Sequence, residues 1–231
     1  MLTDITFHVN RQEVFGIIGL NGAGKSSILK IFMGFTRPDS GTASIAGNPV
    51  KSKNCHRQIG YLPEHPSLYP HLSINEHLQF GCRIADLTGK EAKKRIQTAL
   101  ETVGLIDEKK TPIKRFSKGM TQRAALAYTI LLEPEILILD EPMSGLDPLG
   151  RQLVLDIIQE YQTRGATVLF CSHILTDVER ICDRIGIMHQ GKLESVILTK
   201  SLEKSYIASN TIASQSPLEH FFLNTIQTKQ Q

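Results

Sequence analysis

Gly19-Leu20-Asn21-Gly22-Ala23-Gly24-Lys25-Ser26 constrains this chain more than any other segment. It satisfies G-x-x-x-x-G-K-[ST] in full and sits where that pattern has a mechanism. Before it, Val14 to Ile18 is a short apolar run that reads as a buried strand. After it, Ile28, Leu29, Ile31 and Phe32 fall at helical spacing, with Gly34 placed to end the helix. In a strand, Gly-rich loop and helix of this order, backbone N–H groups turn inward around phosphates and the helix N-terminus adds positive potential. Lys25 then reaches the β- and γ-phosphates, and the Ser26 hydroxyl is placed to hold Mg²⁺.

The remainder reads as one α/β unit. Leu2 to Val9 alternates in the manner of a strand. Residues 35–63 carry Pro38, Gly41, Gly47, Pro49 and Pro63 among short alternating stretches, which predicts antiparallel strands and turns. Ser73 with Glu76 and Thr88 with Glu91 form two capping boxes, so residues 74–131 are expected to be mostly helical. Ile136 to Leu139 is wholly apolar, as in a strand buried on both faces of a parallel sheet, and Asp140 stands at its end. Asp147 and Pro148 make an N-cap and first turn for a helix over 149–163, and Thr167 to Cys171 is another buried strand. A helix over about 174–184 and a strand from Arg184 to Met188 repeat the pattern, which predicts a mainly parallel sheet with helices on its faces. Beyond Gln190 the chain is polar and weakly patterned apart from Leu218 to Leu223.

Composition narrows the partners. With 231 residues, 41% of them hydrophobic, the chain can bury one substantial core but hardly two. A net charge of +3 is spread along the sequence, and the densest basic stretch, Lys90 to Arg95, lies in a helical pattern as a solvated face, so nucleic acid is not the expected partner. Cys55, Cys82, Cys171 and Cys182 have neither disulfide-framework nor zinc spacing, which suits a reducing cytosol. No signal sequence opens the chain, and no run approaches the roughly 18 apolar residues of a membrane span. A membrane, if involved, would be supplied by another protein.

Asp140 and Glu141 at the end of a buried strand provide the acidic counterpart of the phosphate loop. Asp140 is positioned for the Mg²⁺ shell, and Glu141 for polarising an attacking water as general base. From here the sequence resembles a known family. Ile136 to Pro142 followed by Ser144-Gly145-Leu146-Asp147 is similar to the Walker B and D-loop of ABC ATPases, and His173 after the next strand is similar to their H-loop histidine. Phe116-Ser117-Lys118-Gly119-Met120 stands where their LSGGQ signature falls, keeping Ser117 and Gly119 but replacing three other positions. That variant resembles bacterial export-type members. Ile59 to Glu64 resembles the approach to the Q-loop, with Glu64 where most members carry Gln.

The resemblance implies a RecA-like P-loop core, a small antiparallel β-subdomain, a helical subdomain inserted over about 65–132 and a C-terminal tail over about 196–231. It implies ATP and Mg²⁺ as cofactors, bound by Gly19 to Ser27, with Ser26, Glu64 and Asp140 at the metal and Lys25, Glu141 and His173 in hydrolysis. Ser117, Gly119 and Asp147 would complete an ATP site across a dimer of nucleotide-binding subunits, homomeric or heteromeric. The segment from Glu64 to about Leu87 would dock a transmembrane permease, placing the chain in the cytoplasm at the inner face of the membrane. Members usually carry an adenine-stacking aromatic further upstream of the P-loop than this sequence extends. Phe7 and Phe15 lie too close to Gly19 for that role and read as core, so either the true start lies upstream or adenine is held by other contacts. A soluble ABC-type ATPase of DNA repair or translation would show a tandem pair of units, a long coiled-coil insertion or a dense basic tract, none of which is seen.

Overall fold

A computed structural model describes residues 1–52, 55–202 and 216–227. Of the expected 196–231 tail, residues 203–215 and 228–231 lie outside the described residues. The core is a six-stranded sheet in the order β4-β5-β6-β1-β7-β8. Its strands are β1 (Val14–Gly19), β4 (Ile59–Leu62), β5 (Ile136–Asp140), β6 (Thr167–Ser172), β7 (Arg184–His189) and β8 (Lys192–Leu198). The first five run parallel, and only β8 is antiparallel to its neighbour. β1 is buried along its whole length, as its apolar sequence requires of a strand covered on both faces.

One face of the sheet carries the larger cluster, in which Val14, Leu137, Leu139, Val168 and Phe170 meet the helices. Those are α2 (Ile74–Ile84), α3 (Gly89–Thr102), α4 (Lys118–Ile130), α5 (Pro148–Thr163), α6 (Leu175–Ile181) and α7 (Pro217–Gln227). The other face gathers Phe15, Ile17, Ile138 and Leu169 against Ile28 and Leu29 of α1 (Lys25–Phe32). Phe15 is fully buried and stacks on Phe7 with ring centroids 5.4 Å apart, so both phenylalanines serve the core as expected. The 217–227 helix buries Leu218, Phe222 and Ile226.

Four sequence expectations are corrected. Leu2 to Val9 pairs in no ladder, its backbone held by isolated bonds such as Thr3 N–H to the Gly191 carbonyl at 2.9 Å; Ile5, Phe7 and Val9 are half-buried in alternation against the second cluster, so the period-2 pattern is real and the strand partner is not. Within 35–63 only β2 (Ser44–Ile45) and β3 (Asn48–Pro49) are antiparallel, whereas β4 extends the parallel sheet beside β5. The Ser73–Glu76 capping box forms in both halves, but neither half forms at Thr88: its side chain makes no cap, and the Glu91 carboxylate pairs with Arg95 one turn on, at 2.9 Å. Finally, β8 forms in a stretch read as weakly patterned: its residues are half-buried at a sheet edge, where alternation is not enforced.

Candidate functional site

Parallel strands place their C-terminal ends along one edge, and loops leaving that edge carry the site. β1, β4, β5 and β6 deliver there the segments from Gly19, to Glu64, from Asp140 and to His173. α1 begins directly at Lys25, and its N-cap Gly24 has φ 105°, a left-handed conformation that a side chain would strain. Lys25 is buried, and its Nζ donates to the Gly19 carbonyl at 2.8 Å and the Leu20 carbonyl at 3.4 Å, closing the loop on itself. The same ammonium stands 3.6 Å from Glu141 Oε1. Asn21, Gly22 and Ser27 are exposed along the loop, while Ala23 is buried under it.

Ser26 Oγ donates to Asp140 Oδ1 at 3.1 Å, so the α1 hydroxyl and the β5 carboxylate converge as expected. Burial pushes the Asp140 carboxyl above its usual range; the Ser26 hydrogen bond opposes this, and the negative charges of Glu64 and Glu141 add to it. Glu64, though exposed, thus lies close enough for its charge to be felt.

Glu141 carries the most constrained backbone of the edge. It has φ 48°, which a non-glycine residue adopts at a cost of about 1–3 kcal/mol. Two hydrogen bonds hold it: its N–H donates to the Cys171 carbonyl of β6, and its carbonyl accepts from Ser144 N–H, each at 3.0 Å. The turn aims a buried carboxylate at two partners, Lys25 through one oxygen and His173 through the other, with Nδ1 2.7 Å from Oε2. The His173 backbone N–H also donates to Oε2 at 3.3 Å.

Ser117 and Gly119 are not brought to this cluster. Ser117 is the N-cap of α4, its Oγ accepting from Met120 N–H at 3.2 Å and its carbonyl from Thr121. Asp147 caps α5, accepting from Gly150 N–H at 2.8 Å, as its sequence position predicted. Gln122, which follows the signature in the sequence, was given no role there: from inside α4 its Nε2 donates to the Pro142 carbonyl at 3.2 Å, tying the helix to the loop after Glu141.

The donor set fits the implied cofactors. Three carboxylates, Glu64, Asp140 and Glu141, share one edge with one buried ammonium, a surplus of negative charge suited to a divalent cation. Among the described residues no group of three or more His, Cys, Asp or Glu forms a cage. Asp140 and Ser26, 3.1 Å apart, supply one carboxylate and one hydroxyl that would hold a cation together with substrate phosphates. No described helix is long and apolar enough to cross a membrane.

Residues 2–144 match the ABC transporter family model. An uncharacterized ABC transporter ATP-binding protein of Nostoc is 40% identical over 88% of this chain and 60% of its own length. The Nod factor export ATP-binding protein I of Burkholderia thailandensis is 34% identical over 92% of this chain and 71% of its own. A solved ATP-binding subunit of an ABC transporter superposes with a TM-score of 0.86 at 33% identity, covering 97% of this chain and 92% of that one. The chain spans between 55% and 63% of the length of four of the curated relatives. With the family model matched over more than half of this chain, and a relative 34% identical covered over 71% of its length, the chain belongs to the ABC transporter family of ATP-binding proteins.

Proposed function

We propose that this chain is the ATP-hydrolysing subunit of an ABC transporter, powering export through a separate transmembrane permease. The observation that carries the reading is Glu141, held in a left-handed turn with its carboxylate between Lys25 and His173. A carboxylate so fixed accepts a proton from water attacking the γ-phosphorus in line, while His173 holds its orientation. Lys25, released from the Gly19 and Leu20 carbonyls, binds the β/γ oxygens, and loop N–H groups from Gly19 to Ser27 take the remaining charge. Mg²⁺ held by Ser26 and Asp140, with Glu64 accepting from a metal-bound water, would neutralise phosphate charge as it shifts to the leaving group. The carboxylate at Glu64 tunes metal affinity.

At the N-terminus of α4 Ser117 bonds within its own helix and Gly119 neighbours Leu146 and Gly145, which suits a head-to-tail dimer of nucleotide-binding subunits in which each completes the other's ATP site together with Asp147. The helical segment over about 65–132 would move as a unit on closure. Tyr69, Phe80 and Ile84 are exposed apolar side chains between Glu64 and Leu87, as suits docking of a permease at the cytoplasmic face of the membrane. Export is favoured by the Lys118-Gly119-Met120 signature variant and by the Nod factor export relative. No nucleic acid is expected.

The test is phosphate release from Mg·ATP across a range of protein concentration, with Lys25→Ala and Glu141→Gln beside the parent. Activity that vanishes in both variants supports the reading. Undiminished hydrolysis by Glu141→Gln removes that residue from its role.

A further inference from the structure

The N-terminus of α4 and the loop from Pro142 to Asp147 are held together by more than the Gln122 hydrogen bond. Gly145 has φ 73°, and a Cβ placed on it would meet Cε, Cδ and Cγ of Lys118 at 2.6, 2.7 and 3.1 Å. The methylene stem of Lys118 therefore lies flat across the Gly145 backbone. Beside it, a Cβ on Gly119 would stand 3.4 Å from Leu146 and 3.6 Å from the Gly145 carbonyl oxygen, so two successive residues of α4 face one loop. Charge does not account for this placement. Lys118 takes part in none of the ion pairs found among the described residues. No acidic residue occupies the first turn of α4, and a cation beside a helix N-terminus is disfavoured by the helix dipole. Lys118 and Gly145 are both exposed, so contact of the apolar stem with the loop backbone, with the ammonium left in water, is the force that remains.

We propose that Lys118 is a positioning residue for hydrolysis, acting through its stem: it clamps the 142–147 loop to the N-terminus of α4 and so holds Glu141, the residue immediately before that loop, in register with anion uptake at Ser117. This rests on the hydrolytic reading above. Because the backbone of Glu141 is already strained, a slack loop lets its carboxylate drift, and a displacement of about 1 Å at a reacting group costs up to about a hundredfold in rate. The left-handed Gly145 is the other half of the clamp, since a side chain there would displace the stem.

The experiment is a double-mutant cycle on Lys118 and Gly145 with a charge control. Lys118→Gly is expected to lower kcat about tenfold with the ATP Kd unchanged, and Lys118→Met, which keeps the stem and removes the charge, to stay within about twofold of the parent. Gly145→Ala is expected to lower kcat in both backgrounds, because its left-handed φ strains an alanine whatever the space, and to lower it further in the parent, where the stem must also move. The same cycle is read on amide exchange of residues 142–147 in the nucleotide-free chain, which does not depend on hydrolysis. Faster exchange in Lys118→Gly and Gly145→Ala, non-additive in the double variant, sustains the clamp even if the parent hydrolyses nothing, a result that would sink only the hydrolytic reading. The clamp is overturned if Lys118→Met loses as much as Lys118→Gly, or if the two substitutions are additive in exchange and rate.

Discussion

The catalytic edge of the sheet and the N-terminus of α4 are both built to meet phosphate, yet they stand in opposite states. At the edge every group is engaged with another: Lys25 with two carbonyls and Glu141, Ser26 with Asp140, and Glu141 with His173. At α4, Ser117 bonds only to its own helix, and Gly119 faces a loop rather than a charge. On the proposed function, the first is the set of groups that would act on nucleotide, and the second is the half of a site that a partner subunit would use. The difference teaches that preorganisation here is uneven: side chains interlock at the edge, whereas Ser117 bonds only within its own helix.

Substitutions at the edge are expected to have the largest effects. Glu141→Gln should lower kcat about 10²–10⁴-fold with ATP still bound, as for loss of a general base, measured by phosphate release beside equilibrium nucleotide binding. Lys25→Ala should weaken ATP binding itself by tenfold or more, since it removes a charge-assisted contact worth about 1.5–3 kcal/mol, read by titration with labelled nucleotide. A binding defect in Glu141→Gln, or normal binding in Lys25→Ala, would break the division of labour proposed for these neighbours.

Asp140→Asn should separate activity from stability. Burial raises the Asp140 carboxyl above its ordinary value of 3.8, so the folded state binds its proton more tightly than the unfolded chain does. Stability from this group is therefore full below pH 3.8 and lost as pH rises through the folded value. Asparagine does not titrate. Without nucleotide the variant should melt above the parent at pH 7, the gain fading as pH falls toward 4, while Mg²⁺-dependent hydrolysis is lost. A lower melting temperature at pH 7 would contradict the account of the carboxylate cluster.

At α4 the effects should be smaller and of another kind. Ser117→Ala removes the cap and should cost about 0.5–2 kcal/mol in denaturant unfolding, leaving ATP binding by the isolated chain unchanged while hydrolysis falls. Thr88→Ala, at the cap that does not form, should cost no more than a few tenths of a kcal/mol.

The sequence exposed the edge far better than it exposed α4's surroundings, for a physical reason. Gly19 to Ser26, Asp140, Glu141 and His173 each follow a short apolar run, and a parallel sheet brings such positions to one edge whatever its strand order. The helix caps at Ser73 and Asp147 were legible because a cap is local. Contacts between distant segments left no local trace: Gln122 with Pro142, Lys118 across Gly145, and β8 along β7. The Thr88–Glu91 box misled because spacing alone does not say which partner a side chain takes, and the Glu91 carboxylate takes Arg95. Leu2 to Val9 misled because alternation reports burial on one side and says nothing of a ladder.

The central claim is that one chain holds the catalytic groups but not the whole site, and the specific rate of ATP hydrolysis measured against protein concentration tests it most directly. Phosphate released per chain should rise with concentration, as a second chain's Ser117 and Gly119 complete the site, and the rise should be absent in Glu141→Gln. A specific rate that is substantial and constant down to the lowest concentration would show that a single chain hydrolyses ATP unaided, and would contradict the account.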